Sequence, residues 1–146
     1  MYDKYFDHFE IGEKWESRGR TITETDLVMF SALTGDYYPL HTDIEYAKNT
    51  IFKQRIAHGM LVLSFAVGLT KMDPKIVVAN YGIDKLRFIQ PVFIHDTIHV
   101  ELEVIDLQDK GNGTGVVTVK QSVVKQTGEP CIVGISKALI NKRQPA

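Results

Sequence analysis

The sequence predicts an α+β domain in which a largely antiparallel β-sheet is wrapped around a long, buried central helix. Three observations carry this. Four segments of the second half, residues 76–88, 97–107, 115–125 and 131–140, are rich in β-branched residues, and Ile98, Val100, Leu102 and Val104 alternate with polar neighbours. A run beginning near His58 and ending at Leu69 has helical length, strong helix formers and apolar residues on nearly every side, the pattern of a helix buried all round. A third stretch, residues 23–34, carries a helix-start signature. An antiparallel sheet with one apolar face needs a cover for it, and the apolar helix supplies one.

The elements follow in order. A charged, aromatic lead-in runs into a short extended segment over residues 15–21. Thr23 reads as an N-cap, with Asp26 at the third helical position, where a carboxylate favours the helix start. Leu27, Val28, Phe30, Ala32 and Leu33 fit an amphipathic helix over residues 24–34. Gly35 is free to take a positive φ after its last turn, and Pro39 cannot continue it, so the helix ends just before Asp36. A short helix is expected over residues 43–49. The apolar run closes at Asp73-Pro74, and turns fall at His95-Asp96, at Asp109 to Gly113, and at Thr127-Gly128 with Glu129-Pro130. Residues 1–146 are read as one domain, with no repeat or linker-like segment.

Bulk properties exclude more than they assign. A 146-residue chain is long enough to bury about two-thirds of its unfolded surface. A net charge of −1 gives no electrostatic footprint for nucleic acid or an acidic membrane, so an anionic ligand needs local donors. The single cysteine, Cys131, rules out an internal disulfide and a cysteine-rich metal site, and points to a reducing cytoplasm. The opening residues are too polar for a secretory signal, and the longest apolar stretch falls well short of the ~20 residues that span a bilayer. A cytoplasmic protein is expected.

Chemistry concentrates in Thr34-Gly35-Asp36-Tyr37-Tyr38-Pro39-Leu40-His41-Thr42-Asp43. On one continuous helix Asp36 and His41 would not stack, but a loop bracketed by Gly35 and Pro39 brings a carboxylate and an imidazole together. Such a pair suits acid–base work near neutral pH. The same spacing also describes a plain surface loop, with Asp36 in a local turn and His41 half-buried, and spacing alone favours that reading. Downstream, Arg55-Ile56-Ala57-His58-Gly59-Met60 places a glycine at a helix start, where a bare N–H backed by the helix dipole stabilises charge developing on a carbonyl oxygen. Gly59 would equally permit close helix–sheet packing, and His58 reads as a satisfied core or cap histidine. An activated water together with an oxyanion donor is what hydration of an α,β-unsaturated thioester requires.

The two stretches together resemble the signature of MaoC-like (R)-specific enoyl-CoA hydratases and dehydratases, of the hot-dog fold. The matching residues are Thr34, Gly35, Asp36, Pro39, Leu40, His41 and Asp43, then Ile56, Ala57, His58, Gly59 and Met60. Arg87 to Phe93 with Asp96-Thr97 resembles the family's sheet-edge segment. The resemblance implies a hot-dog domain and reversible syn hydration of a trans-2-enoyl-CoA to the (R)-3-hydroxyacyl-CoA. It further implies that Asp36 and His41 position and deprotonate the water and return a proton to the α-carbon, while the Gly59 N–H polarises the thioester. The CoA thioester is then the substrate, no cofactor is expected, and a homodimer or higher homo-oligomer is implied. Tyr38 stands where the family commonly has asparagine, suggesting a subgroup with an unusual or short acyl chain. His95 stands where a glycine often precedes Asp-Thr, so that turn is expected to be built differently.

Other readings are weaker. A metal site from His41, Asp43 and His58 lacks any supporting motif. His8, His95 and His99 have no partner at ligand spacing. Gly111 to Gly115 has the glycines of a phosphate loop but not its strand-to-helix setting, and reads as a hairpin turn. Lys85 and Arg87 read as a solvated strand face. The competing functions are an acyl-CoA thioesterase on the same fold and a non-catalytic acyl-CoA-binding subunit.

Overall fold

A computed structural model describes residues 1–143. Its helix α4, Gly59–Leu69, is cradled by one six-stranded antiparallel sheet, the hot-dog arrangement. Strands β1 (Lys14–Glu16), β2 (Arg20–Thr21), β3 (Val77–Phe88), β4 (Thr97–Asp109), β5 (Thr114–Lys125) and β6 (Pro130–Asn141) lie in the order β1-β4-β5-β6-β3, with β2 also pairing β4. Three shorter helices, α1 (Glu24–Thr34), α2 (Pro39–Thr42) and α3 (Ile44–Lys48), precede α4.

The alternation read in the sequence sets the register. Ile98, Val100, Leu102 and Val104 of β4 are all buried, as are Val117, Val119 and Val123 of β5 and Ile132, Ala138 and Ile140 of β6. They form one cluster with Leu61, Val62, Leu63, Ala66 and Leu69 of α4. Each fully buried Val or Leu contributes about 1.5–3 kcal/mol relative to exposure, so α4 and the sheet hold each other in place. The expected all-round burial of α4 needs correction. Met60 and Val67 are 55% and 42% exposed in the single chain, and Ser64 lies between them on the same side. One sheet curls around three sides of a helix and leaves a fourth.

Other boundaries differ for clear reasons. The extended segment at 15–21 is two short strands, each pairing β4. The helix over 24–34 is as expected, with a full capping box between Thr23 and Asp26 and a left-handed Gly35 at φ 77° ending it. The loop that Gly35 and Pro39 bracket is present, but His41 lies beyond it on a helix the sequence reading did not expect. Pro39 starts helix α2 at its first position, where its missing N–H costs nothing and its fixed φ is already helical. Among the described residues no helix is long and apolar enough to cross a membrane.

The segment after β3 forms the wall that the functional loops face, and a buried ion pair holds it. Lys125 Nζ lies 3.1 Å from Asp96 Oδ2 and donates to the Pro91 carbonyl at 3.2 Å. Asp96 also accepts from the Phe93 N–H and from Gln126 Nε2. Beside it His95 has φ 76°, in the left-handed region that favours glycine, where an L side chain costs about 1–2 kcal/mol.

Burial by itself would raise the Asp96 carboxyl, but bonds from Gln126, Phe93 and Lys125, with the Lys125 charge, outweigh it and hold the carboxyl below its usual range. A carboxyl depressed by folding contributes stability above its unfolded pKa and loses it as the pH falls through the folded one. Asp96→Asn is therefore expected to cost about 3 kcal/mol near neutral pH, by leaving Lys125 unpaired. Urea titrations should show the difference from wild type shrinking as the pH drops below about 4. A constant difference across that range would contradict the ion pair as its source.

Candidate functional site

The site grows from the end of α1. Gly35 turns the chain, Thr34 Oγ1 accepts from the Asp36 N–H at 3.2 Å, and Asp36 Oδ1 accepts from the Tyr38 N–H at 3.2 Å. This Asx-type turn leaves the Asp36 carboxylate exposed. Helix α2 then presents His41, half-buried, from its single turn.

A short extended strip, Ile56-Ala57, runs between α2 and the wall. The Ile56 N–H donates to the Leu40 carbonyl and the Ala57 N–H to the Val92 carbonyl, at 3.3 and 2.7 Å, and Ile56 bridges Phe93. The strip fixes the chemistry of His41, because His41 Nδ1 lies 2.8 Å from the Ile56 carbonyl. A carbonyl only accepts, so Nδ1 carries a proton, and in the neutral ring the lone pair is on Nε2, the tautomer of a general base. Asp36 and His41 donor atoms lie within 4.8 Å, with no direct hydrogen bond between them among the described residues. One water molecule spans such a gap.

Gly59 is the first residue of α4, and its N–H has no acceptor among the described residues. A Cβ built on it would meet the Phe88 ring at 2.7 Å. Both sequence readings therefore hold of its surroundings: the backbone donor is bare, and the close packing is real. His41 and Gly59 open into the same cavity of about 420 Å³, whose wall is mostly apolar, including Phe52, Ile56, Met60, Val62, Phe88 and Ile132. Cys131 lies at this cavity too, with its thiol pushed up to about 11 by burial and its Sγ–H donated to the Val123 carbonyl.

The structure separates the other candidates. Asp43 caps α3 by accepting from the Tyr46 N–H and does not join His41 and His58, so the triad imagined for a metal is not assembled. His58 does lie close to Asp36 and His41, with donor atoms within 4.8 Å. A metal fits poorly all the same. The imidazoles of His41 and His58 stack face to face, 3.9 Å between centroids and 27° between planes, so in-plane lone pairs do not converge at the ~2.0–2.1 Å a zinc ion requires. His8 and His95 are exposed, and His99 sits on the outer sheet face beside Glu16 and Glu101. Gly111 to Gly113 form the β4–β5 turn. Tyr38 points its bulk outward: its ring meets His41 edge-on at 6.1 Å, and its hydroxyl is 3.4 Å from that of Tyr46. The loop keeps its shape through backbone bonds that any residue at 38 makes. The sequence reading missed Phe88 and the Ile56 carbonyl, neither of which carries a signal outside the fold.

A family model described as MaoC like domain matches residues 8–127. Protein MaoC of Klebsiella aerogenes is 41% identical over 102 residues, which cover 69% of this chain but only 30% of that protein. An (R)-specific enoyl-CoA hydratase of Rhodospirillum rubrum is 34% identical over 126 residues, covering 84% of this chain and 78% of the relative. The solved structure of a monoamine oxidase regulatory protein from Archaeoglobus fulgidus superimposes with a TM-score of 0.90 at 46% identity, over 99% of this chain and 98% of that one.

The two properties of Gly59 separate by mutation. Gly59→Ala keeps the N–H but drives a methyl into Phe88, and is expected to cost about 1–3 kcal/mol in denaturant unfolding. In a Phe88→Ala background the same change should cost almost nothing. An equal cost in both backgrounds would show that Phe88 is not what excludes a side chain.

Proposed function

The chain belongs to the MaoC-like domain family, and from that membership we propose that it catalyses reversible syn hydration of trans-2-enoyl-CoA thioesters to (R)-3-hydroxyacyl-CoA. The observation that carries this reading is that the lone pair of His41 and the bare N–H of Gly59 face one apolar cavity.

The proposed steps use this arrangement as follows. A water held by Asp36 and His41 gives a proton to His41 Nε2 as its oxygen bonds to the β-carbon of the enoyl chain. The C=C electrons move to the α-carbon and thioester oxygen, where the Gly59 N–H and the dipole of α4 stabilise the enolate charge. A proton returned from the Asp36–His41 side to the α-carbon completes the addition on the face that received the oxygen. Among the described residues the cavity wall holds no Lys or Arg, which favours neutral acyl chains over those ending in a carboxylate.

Mixing the protein with crotonyl-CoA should remove the enoyl absorbance and give the (R) product. Asp36→Asn and His41→Ala should each lower kcat by about 10²–10⁴-fold with the fold intact. Unchanged rates in both variants would sink these roles. Thiol release in place of hydration would identify a thioesterase, and tight binding of acyl-CoA without turnover a binding subunit.

We further read the active unit as a dimer. Strand β3 is a 12-residue edge strand paired on one side only, with Val78, Tyr81, Ile83 and Phe88 exposed along it. A long apolar edge left open templates pairing with another chain, and a second copy covers it without exposing a new edge. Sedimentation at micromolar concentration should give twice the mass of one chain, and a monomer would refute the assignment.

A further inference from the structure

The proposed hydration leaves one buried histidine unused. His58 is 2% exposed, lies over His41 as described, and packs against Phe30 with ring centroids 4.9 Å apart. Its Nε2 is 3.1 Å from the backbone oxygen of Asp36 and 3.2 Å from Ser31 Oγ, while its Nδ1 is buried without a partner among the described residues. The carbonyl accepts, so Nε2 carries the proton and Nδ1 is a bare lone pair. Protonating Nδ1 would place a cation where no acceptor meets it. Burial lowers the pKa of this imidazole, the nearby His41 adds to that, and the bond to Asp36 and its carboxylate oppose without cancelling it.

We propose that His58 is a positioning residue for the Asp36–His41 pair: as a neutral Nε2–H imidazole it clamps the Asp36 carbonyl to the start of α4, and its ring face sets the plane of His41. The clamp matters because Asp36 follows a left-handed glycine on an exposed loop, and its remaining bonds run only to its near neighbours Thr34, at the end of α1, and Tyr38. The bond to His58 ties Asp36 to the buried helix that supplies the Gly59 N–H, so one side chain holds the base side and the oxyanion side of the site in register. Neutrality matters as well. His41 becomes cationic when it takes the proton of water, and a neutral ring face beneath it is attractive where a second imidazolium would repel. A phenylalanine would fill the same volume but leave the Asp36 carbonyl and Ser31 hydroxyl without this donor.

The kinetic part of this inference rests on the hydratase reading, and the test separates the two. His58→Phe keeps a ring under His41 and removes the clamp; His58→Gln keeps an N–H near the place of Nε2 and removes the ring. With crotonyl-CoA, His58→Phe is expected to lower kcat about 10²-fold at an unchanged KM, as displacement of a catalytic group by about 1 Å does. His58→Gln should recover at least tenfold of that loss. Wild-type kcat in the Phe variant, or an equal loss in both variants, would overturn the clamp. Nitrogen-15 NMR of the imidazoles in the wild-type protein gives a readout that needs no turnover. His58 should show the neutral Nε2–H tautomer through the range where an ordinary histidine, pKa about 6.5, becomes charged. An Nδ1–H tautomer or an ordinary titration would overturn the proposal. If the wild-type protein does not hydrate enoyl-CoA, the hydratase reading falls alone and the NMR result decides the placement of His58.

Discussion

An 11-residue apolar helix that must be hidden from water governs this molecule. Five of its side chains are buried against one sheet, and a sheet that encloses a helix this closely must curl along its length. The curl brings the wall after β3 opposite the helix N-terminus. It also leaves the first peptide groups of α4 facing a gap rather than the core. A helix start is a set of N–H groups without internal acceptors, so the demand to bury apolar surface ends by aiming backbone donors into an apolar cavity.

Around that start the side chains are tuned by backbone carbonyls more than by charges. The Ile56 oxygen selects the proton position on His41, and the Asp36 oxygen selects the opposite one on His58. Two adjacent imidazoles thus hold complementary tautomers, one with its Nε2 lone pair free and one with its Nε2 proton engaged. Both carbonyls belong to segments whose own positions are set elsewhere, the first by bonds to Leu40 and Val92 and the second by the turn at Gly35. The electrostatics of the site are therefore a consequence of chain path.

Much of this was legible in the residues. The capping pair Thr23 and Asp26, the glycine at 35 and the β4 alternation are local features, and local features survive into the fold. Asp36, His41 and Gly59 stand out through the family resemblance, because their spacing alone fits a plain surface loop and a packing glycine equally well. What could not be read depended on distant contacts. Phe88 reaches Gly59 only because β3 ends beside α4, and the open side of α4 appears only once the sheet's reach is known. Helix α2 is a different case. Pro39 is compatible with a helix start as well as a helix stop, and its sequence context alone does not tell the two apart. His58 looked like a satisfied core residue, whereas burial leaves one of its nitrogens alone.

The state of Cys131 has a practical side. It is the only thiol in the chain, it is fully buried, and its proton is held well above neutral pH. Thiolate is the reactive form, so almost none of it exists in the folded protein under ordinary conditions. The folded chain is accordingly expected to react slowly with disulfide reagents and alkylating agents. Labelling of Cys131 therefore reports on opening of the structure around β6 and the adjoining cavity, not on an exposed surface thiol.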